Sequence, residues 1–494
     1  MAIHIERRNF LTVVSAFVGL AVLSFAAMPA TAQTRPTKAA PAAGADSDDG
    51  SVPVLRADPS DLGLKLPNAD PVAGDDRRVL VKSEDEDELV VGKVQVELGD
   101  SFVVIMPDGR INVFKKSEAT ITERPFVGIA VKDLAEKLQK KFPGYKVQST
   151  KHFIYVYNSS DLFHKGTSAI LESLYPGLIN YCKLRKLTVE DPPYPLVVVM
   201  FRKRQEWEDY MHGMFAGSSV AAFYDGATNR VMMYEQSELG EDAPEYAQKQ
   251  LISTVAHEGV HQILHNIGIQ QRLSRWPMWI SEGLPEYFAP TSMGRGLKWK
   301  GAGQVNDLRM KSIVRLLQMG PQRSIQATKS GSTTTEAIVT ATDLDSDGYA
   351  WSWALAHFLG EKKKTEFQKY LAEIALSEPM KKPDAESQRE MFVKHFGSDF
   401  AKMDADMLKH LKNLPYVDPI ENMTHFVVMM RYPQGLQTMR GYAIALSEKQ
   451  VAETRAELAA KLTPQEQNSA IFQVRQAKTR TEAMSIAAGW MNSR

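Results

Sequence analysis

The chain has 494 residues, room for two or three domains, and its 44% apolar and 24% charged residues are the balance of a globular protein. Lys plus Arg and Asp plus Glu number 59 each, so no net charge points to a nucleic-acid partner or an acidic tail. The single cysteine, Cys182, excludes an intramolecular disulfide and a cysteine metal site, leaving His, Asp and Glu for any bound zinc. In the apolar run Leu178-Ile179-Asn180-Tyr181-Cys182 it reads as a buried, inert core thiol.

Residues 1–32 have the form of an export signal: Arg7 and Arg8, the apolar run Leu11 to Met28, and Ala30-Thr31-Ala32 as a small-x-small cleavage site. Arg7-Arg8-Asn9-Phe10-Leu11 resembles a twin-arginine signal, with Glu6 and Thr12 departing from it. The competing reading is an uncleaved anchor, for which the apolar run is short. No other stretch is apolar for long enough to cross a bilayer. Residues 33–78, rich in Pro, Ala, Gly and Asp, are expected to be a disordered linker. Residues 79–124 read as a small β module, with strands at Val90–Val96, Phe102–Met106 and Ile111–Phe114 and a hairpin turn at Asp108-Gly109. Such a module packs on its neighbour or binds a partner.

From 125 to 412 helices and strands alternate. Helices are expected at Val131–Lys141, His164–Lys186 and Gln205–Met211, with strands at Phe153–Tyr157, Leu196–Phe201, Val220–Tyr224 and Arg230–Tyr234. The last two pair antiparallel through Asp225-Gly226. A long helix runs from about Glu245 to Ile267 and stops at Gly268. The chain then turns mainly helical, apart from a polar loop around Lys329 to Thr335. Residues 413–494 read as a mainly helical extension with one strand at Phe426–Met430. The fold class is therefore α+β.

The long helix carries His257-Glu258-Gly259-Val260-His261. Histidines at i and i+4 lie about 40° apart around a helix and one turn apart along it, so their imidazoles converge. Glu258 reaches the open side of that point, where it can take a proton from a metal-bound water. Leu251, Ile252, Val255, Val260, Ile263, Leu264 and Ile267 bury the helix, and a buried Glu between two buried His needs a partner such as a metal. Zinc needs a third protein ligand and an open fourth position. His265 lies about 12 Å along the axis from His257, too far to share one ion with both histidines, and reads as a supporting or core residue. The metzincin pattern is excluded, because Leu264 and Ile267 stand where it needs Gly and His.

Downstream, Trp279-Ile280-Ser281-Glu282-Gly283-Leu284-Pro285-Glu286-Tyr287-Phe288 resembles the gluzincin peptidases, which take the third ligand from a Glu on the next helix. The resemblance implies that Glu282 completes the set with His257 and His261, and that Glu286 orients a ligand imidazole, that of His257. Taken alone, Glu282 reads first as an N-cap or first-turn carboxylate after Ser281. Pro285 suits a helix that starts near Ser281 but would kink one that starts at Pro277. In similar zincins a Tyr that opens such a helix faces the metal, so the resemblance makes Tyr349, in Tyr349-Ala350-Trp351-Ser352-Trp353-Ala354-Leu355-Ala356-His357-Phe358-Leu359, the candidate to stabilise the oxyanion; the alternative is a Tyr that only packs the helix start, and His357 reads as structural. These segments, with Lys298-Trp299-Lys300-Gly301 before Arg309, resemble the bacterial domain-of-unknown-function family 1570 of peptidase-MA-like secreted proteins. The resemblance spans roughly residues 150 to 410 and implies a zincin-like fold over 125–412. In zincins the strand before the active helix pairs with an extended substrate, a role expected here of Arg230–Tyr234.

The expected function is that of an exported, periplasmic or extracellular, zinc (Zn2+) metallopeptidase acting on a protein or peptide, with Glu258 as general base and no membrane contact beyond the export signal. No Gly-x-Met-Glu-Asn segment of the aminopeptidase kind is found, which favours an endopeptidase or a narrow processing activity. The alternatives are a non-catalytic binding or scaffold protein on the same fold, and zinc hydrolysis of a non-peptide bond.

Overall fold

The computed structural model describes residues 4–5, 64, 66–82, 88–212, 220–235, 244–292, 297–319, 332–381, 383–435 and 437–493. The expected signal peptide, apart from β1 (His4–Ile5), and most of the expected linker lie outside these residues. The chain divides into two compact units, one built from Val52–Glu238 and Ala247–Tyr416, the other chiefly from Val417–Arg494.

The first unit opens with an antiparallel sheet of β2 (Pro71–Ala73), β3 (Arg78–Val81), β4 (Val90–Leu98), β5 (Ser101–Ile105), β6 (Ile111–Lys115) and β7 (Thr120–Ile121). Alternation is the cause, since every second residue of β4 from Gly92 to Leu98 is buried. The Pro107–Arg110 turn closes through the Gly109 amide on the Met106 carbonyl, with Gly109 at φ +83°. The module starts earlier than its pattern suggested. Strand β2 pairs with β4 inside the stretch expected to lack structure, and Leu64 and Leu66 pack against Val96, Val103 and Ile111. Two leucines and a three-residue strand suffice because the sheet is already there to receive them.

Next come α1 (Val131–Lys141), β8 (Lys146–Ser149), β9 (Phe153–Tyr157), α2 (Asp161–Leu184), β10 (Leu196–Phe201), α3 (Arg204–Tyr210), β11 (Ala222–Asp225) and β12 (Arg230–Tyr234). They form a mixed sheet in the order β11-β12-β10-β9-β8, parallel across β9, β10 and β12 and antiparallel at both margins. Both faces are covered, which is why β9 and β10 are unbroken apolar runs. Ile154, Val156, Val197, Val199 and Met232 face Leu134, Leu138 and Trp207 of α1 and α3. Tyr155, Val198, Val231 and Met233 face the main core, where Cys182 is buried and its thiol pushed up to about 12 by desolvation. Strand Arg230–Tyr234 is not the sheet edge: β11 covers it and is itself the margin among the described residues. Chain order placed Arg230–Tyr234 next to the active helix, but strand pairing decides the edge.

The helical half follows: α4 (Pro244–Asn266), α5 (Met278–Phe288), α6 (Asp307–Met319), α7 (Thr334–Val339), α8 (Ser346–Lys362), α9 (Lys364–Ile374), α10 (Ala385–Phe396) and α11 (Phe400–Lys412). Gly268 at φ +83° follows α4, as expected of a C-terminal stop. Helix α5 runs from Met278 through Pro285, whose ring removes one internal bond; burial of the helix from Trp279 to Phe288 holds it regardless. The stretch expected as a loop to Thr335 is helical from Thr334. Thr333 caps it, and Asp404 accepts the Thr334 and Thr335 amides at 2.8 Å each. Residues 329–331 of that region lie outside the described set.

The second unit adds strands to the one expected at Phe426–Met430. Strands β13 (His425–Gln434) and β14 (Gln437–Ala445) form a hairpin, and α12 (Glu448–Ala460) and α13 (Pro464–Ser469) lead to β15 (Ile471–Ala477) and α14 (Arg480–Met491). The sheet order is β1-β14-β13-β15. One face of β13 packs on Ala483 and Ala487 of α14, the other on Leu458 and Leu462. Strand β14 opens with Gln437 and Thr438 and carries Gly441, and β15 exposes most of its residues, so neither announces itself as apolar. No described helix is long and apolar enough to cross a membrane.

Candidate metal centre

Helix α4 brings His257 and His261 to one face, and α5 brings Glu282 to the same point. Two glycines seat these helices against their neighbours α2 and α8. A Cβ on Gly259 would lie 2.2 Å from Leu171 Cδ2 of α2, and one on Gly283 would lie 2.5 Å from the Ser352 carbonyl of α8. The far end of α5 is pinned by Trp299, which donates from Nε1 to the Phe288 carbonyl and from its amide to Ser173 of α2, both at 2.8 Å.

Nε2 of His257 lies 3.1 Å from Nε2 of His261, and Oε2 of Glu282 lies 3.3 and 3.4 Å from them. Ligand atoms about 2.0–2.1 Å from a tetrahedral ion stand about 3.3 Å apart, so this triangle has the dimensions of three corners of one coordination shell. All three side chains are buried. Among the described residues no donor meets either oxygen of Glu282 with hydrogen-bond geometry. An orphaned buried carboxylate is costly, and a cation is what would relieve it. A buried His-His-Glu set therefore fits a metal ion, and among the described residues it is the one such group. His265 stands apart, stacked on Tyr224 with ring centroids 5.4 Å apart.

Glu286, one turn beyond Glu282, places Oε1 3.0 Å from Nδ1 of His257. The same oxygen accepts from Arg309 Nη2 at 2.6 Å, and Oε2 accepts from Asn306 Nδ2 at 2.8 Å. The His257 contact is an ion pair rather than an aligned hydrogen bond; a carboxylate beside Nδ1 favours the proton there and leaves the Nε2 lone pair for a metal. The sequence reading missed Asn306. Asn306-Asp307 ahead of an apolar run carries a helix-start signal, and Asn306 does cap α6 by accepting the Arg309 amide at 3.2 Å.

Glu258 directs Oε2 to the backbone amide of Tyr224 on β11 at 2.9 Å, leaving Oε1 buried and without a partner among the described residues. Tyr349, which lies in the first turns of α8, is 2% exposed; its ring lies 6.4 Å from that of His257, with the Arg309 guanidinium 5.4 Å from its centroid. The cluster holds three buried carboxylates, Glu258, Glu282 and Glu286; the Arg309 guanidinium pairs with Glu286, and Glu282 faces the two histidines. The protonation tendencies follow. Burial raises Glu258 to about 8, opposed by His257 and reinforced by Glu282. Burial alone would lower His257, but Glu286, Glu282 and Glu258 raise it to about 10. Burial opposes the ionisation of Glu282, yet His261 and His257 hold it far below the usual carboxylate range. Burial, then Glu282, raises the Tyr349 phenol well above its ordinary value, so it remains a donor.

An α+β fold with a buried His-His-Glu set contributed by two helices defines a candidate metalloprotein. Residues 251–381 match the family described as protein of unknown function DUF1570. The match is narrower than the resemblance expected over 150 to 410, but it holds all three candidate ligands together with Glu258, Glu286, Asn306, Arg309 and Tyr349. No curated protein matches the chain.

Proposed function

We propose that the chain is an exported zinc-dependent peptidase of the gluzincin type that hydrolyses a protein or peptide substrate. The observation that carries this reading is the triangle of His257 Nε2, His261 Nε2 and Glu282 Oε2, with edges of 3.1 to 3.4 Å. Zinc bound there would supply Lewis acidity and lower the pKa of water. Glu258, anchored through Oε2 on the Tyr224 amide, uses Oε1 to accept a proton and pass it to the leaving amine. Glu286, fixed by Arg309 and Asn306, orients His257. Tyr349, held neutral, donates its hydroxyl to the developing oxyanion. Strand β11, antiparallel to β12 and running past Glu258, is the edge on which an extended peptide would add, in place of Arg230–Tyr234. Export rests on the Arg7-Arg8 start and the apolar run of residues 1–32.

The test is cleavage of a peptide library by the purified wild type and by Glu258→Gln. Cleavage by the wild type and its loss in a variant that still carries zinc is the expected result. A zinc-loaded wild type that cleaves nothing would sink the peptidase reading and leave the binding-protein alternative.

A further inference from the structure

The proposed chemistry makes no use of the β2–β7 module, yet the module grips the hairpin that carries Tyr224. Its β5–β6 turn meets the β11–β12 turn. The Ile111 amide donates to the Ala227 carbonyl at 2.7 Å, and the Ile129 amide, just beyond the module, returns to the Pro107 carbonyl at 2.9 Å. Arg272, 6% exposed, spans the two turns: Nη1 donates to the carbonyls of Gly109 and Gly226, and Nη2 lies 3.4 Å from the Tyr194 hydroxyl. The contact is close, since a Cβ on Gly109 would lie 2.8 Å both from Asn229 Nδ2 and from the Tyr194 ring.

Helix α4 holds the same hairpin from another direction. Gln262 Nε2 donates to the Asn229 carbonyl at 2.9 Å and to the Val197 carbonyl at 3.0 Å. Asn229 Oδ1 accepts from Asn266 Nδ2 at 2.7 Å and from the Tyr224 hydroxyl at 2.9 Å. Strand β12 is held by β10 on its other side, so the strand that depends on this turn is β11, four residues at the sheet margin with β12 as its one paired strand among the described residues.

We infer that the β module is a positioning element for Glu258. By pinning the β11–β12 turn, it fixes the strand whose Tyr224 amide holds the Glu258 carboxylate. The candidate metal ligands sit on α4 and α5, so loosening the turn separates two properties that a general loss of structure would abolish together. Metal binding persists while the Tyr224 amide and Glu258 become mobile. A displacement of about 1 Å in a reacting group can cost about 100-fold in rate. The kinetic consequence rests on the peptidase reading; the structural consequence does not.

The test uses the full chain with Arg272→Met, which removes the bridging donors, and with Ile111→Pro, which removes one amide at the first residue of β6, where proline is tolerated. Hydrogen exchange resolved at residue 224 is measured beside zinc content and peptide cleavage, with Glu258→Ala as the reference for loss of the bond. The expected result is exchange at 224 at least tenfold faster, zinc per chain unchanged, and kcat about 10- to 100-fold lower with KM within about twofold. If one variant does not fold by circular dichroism, the other carries the test. Wild-type exchange at 222–227 in a folded variant overturns the inference, as does loss of zinc together with activity. If the wild type cleaves no peptide, the peptidase reading falls and the exchange measurement still decides this one.

Discussion

His257 and His261 on α4 bring their Nε2 atoms to 3.1 Å; His357 on α8 and His410 on α11 bring Nδ1 and Nε2 to 2.9 Å. Both pairs are buried. In the second, His357 Nε2 reaches the Gly303 carbonyl at 3.2 Å. A carbonyl only accepts, so His357 carries its proton on Nε2, and its Nδ1 accepts from His410 Nε2. That chain closes with both rings neutral. Burial and the neighbouring His357 push His410 down to about 4, whereas the carboxylates round His257 outweigh burial and raise it to about 10. Paired histidines alone therefore do not make a metal centre. Converging carboxylates with unsatisfied oxygens are what fit a cation, and Glu361, the carboxylate that acts on the second pair, already accepts from the Tyr287 hydroxyl.

Substitutions on the two sides of this contrast should behave differently. Glu258→Gln should lower kcat by about 10²–10⁴ while zinc content stays at the wild-type level, read by steady-state kinetics and metal analysis. Tyr349→Phe should lower kcat by about 10²–10³ with zinc retained; a rate within twofold of wild type would remove the oxyanion role. Glu286→Gln, which weakens the hold on His257 Nδ1, should reduce metal affinity by about 10–100-fold in competition with a chelator.

The smallest effect lies at the other pair. His410→Leu leaves His357 Nδ1 without its donor and should cost about 1–3 kcal/mol in urea unfolding, with zinc unchanged. His410 is near 6.5 when unfolded and about 4 when folded, so the unfolded state binds the extra proton first. Wild-type stability should fall as pH drops from 6.5 towards 4, and His410→Leu should flatten that decline. A steeper decline in the variant would show that the pair is not held neutral.

The centre was legible where chemistry is local. His257-Glu258-Gly259-Val260-His261 announces itself by helical spacing, and Glu282 and Glu286 by resemblance to a short ordered segment. Asn306 escaped because an Asn before an apolar helix already has a sufficient explanation as a cap. Tyr224 escaped because it acts through its backbone amide, which no side chain signals. Among the elements, Val131–Lys141, Phe153–Tyr157 and Leu196–Phe201 were readable to the residue, since each is a regular pattern between clear breaks. The edge strand was misassigned, and β14 and β15 were missed, because pairing order and two-sided packing depend on residues far along the chain.

Metal analysis by inductively coupled plasma mass spectrometry on the purified full chain, beside His261→Ala, tests the His257–His261–Glu282 centre most directly. Zinc bound stoichiometrically to the wild type and lost from the variant is the expected result. A wild type purified without metal that fails to take up added zinc, or a variant that binds it equally well, would contradict the assignment.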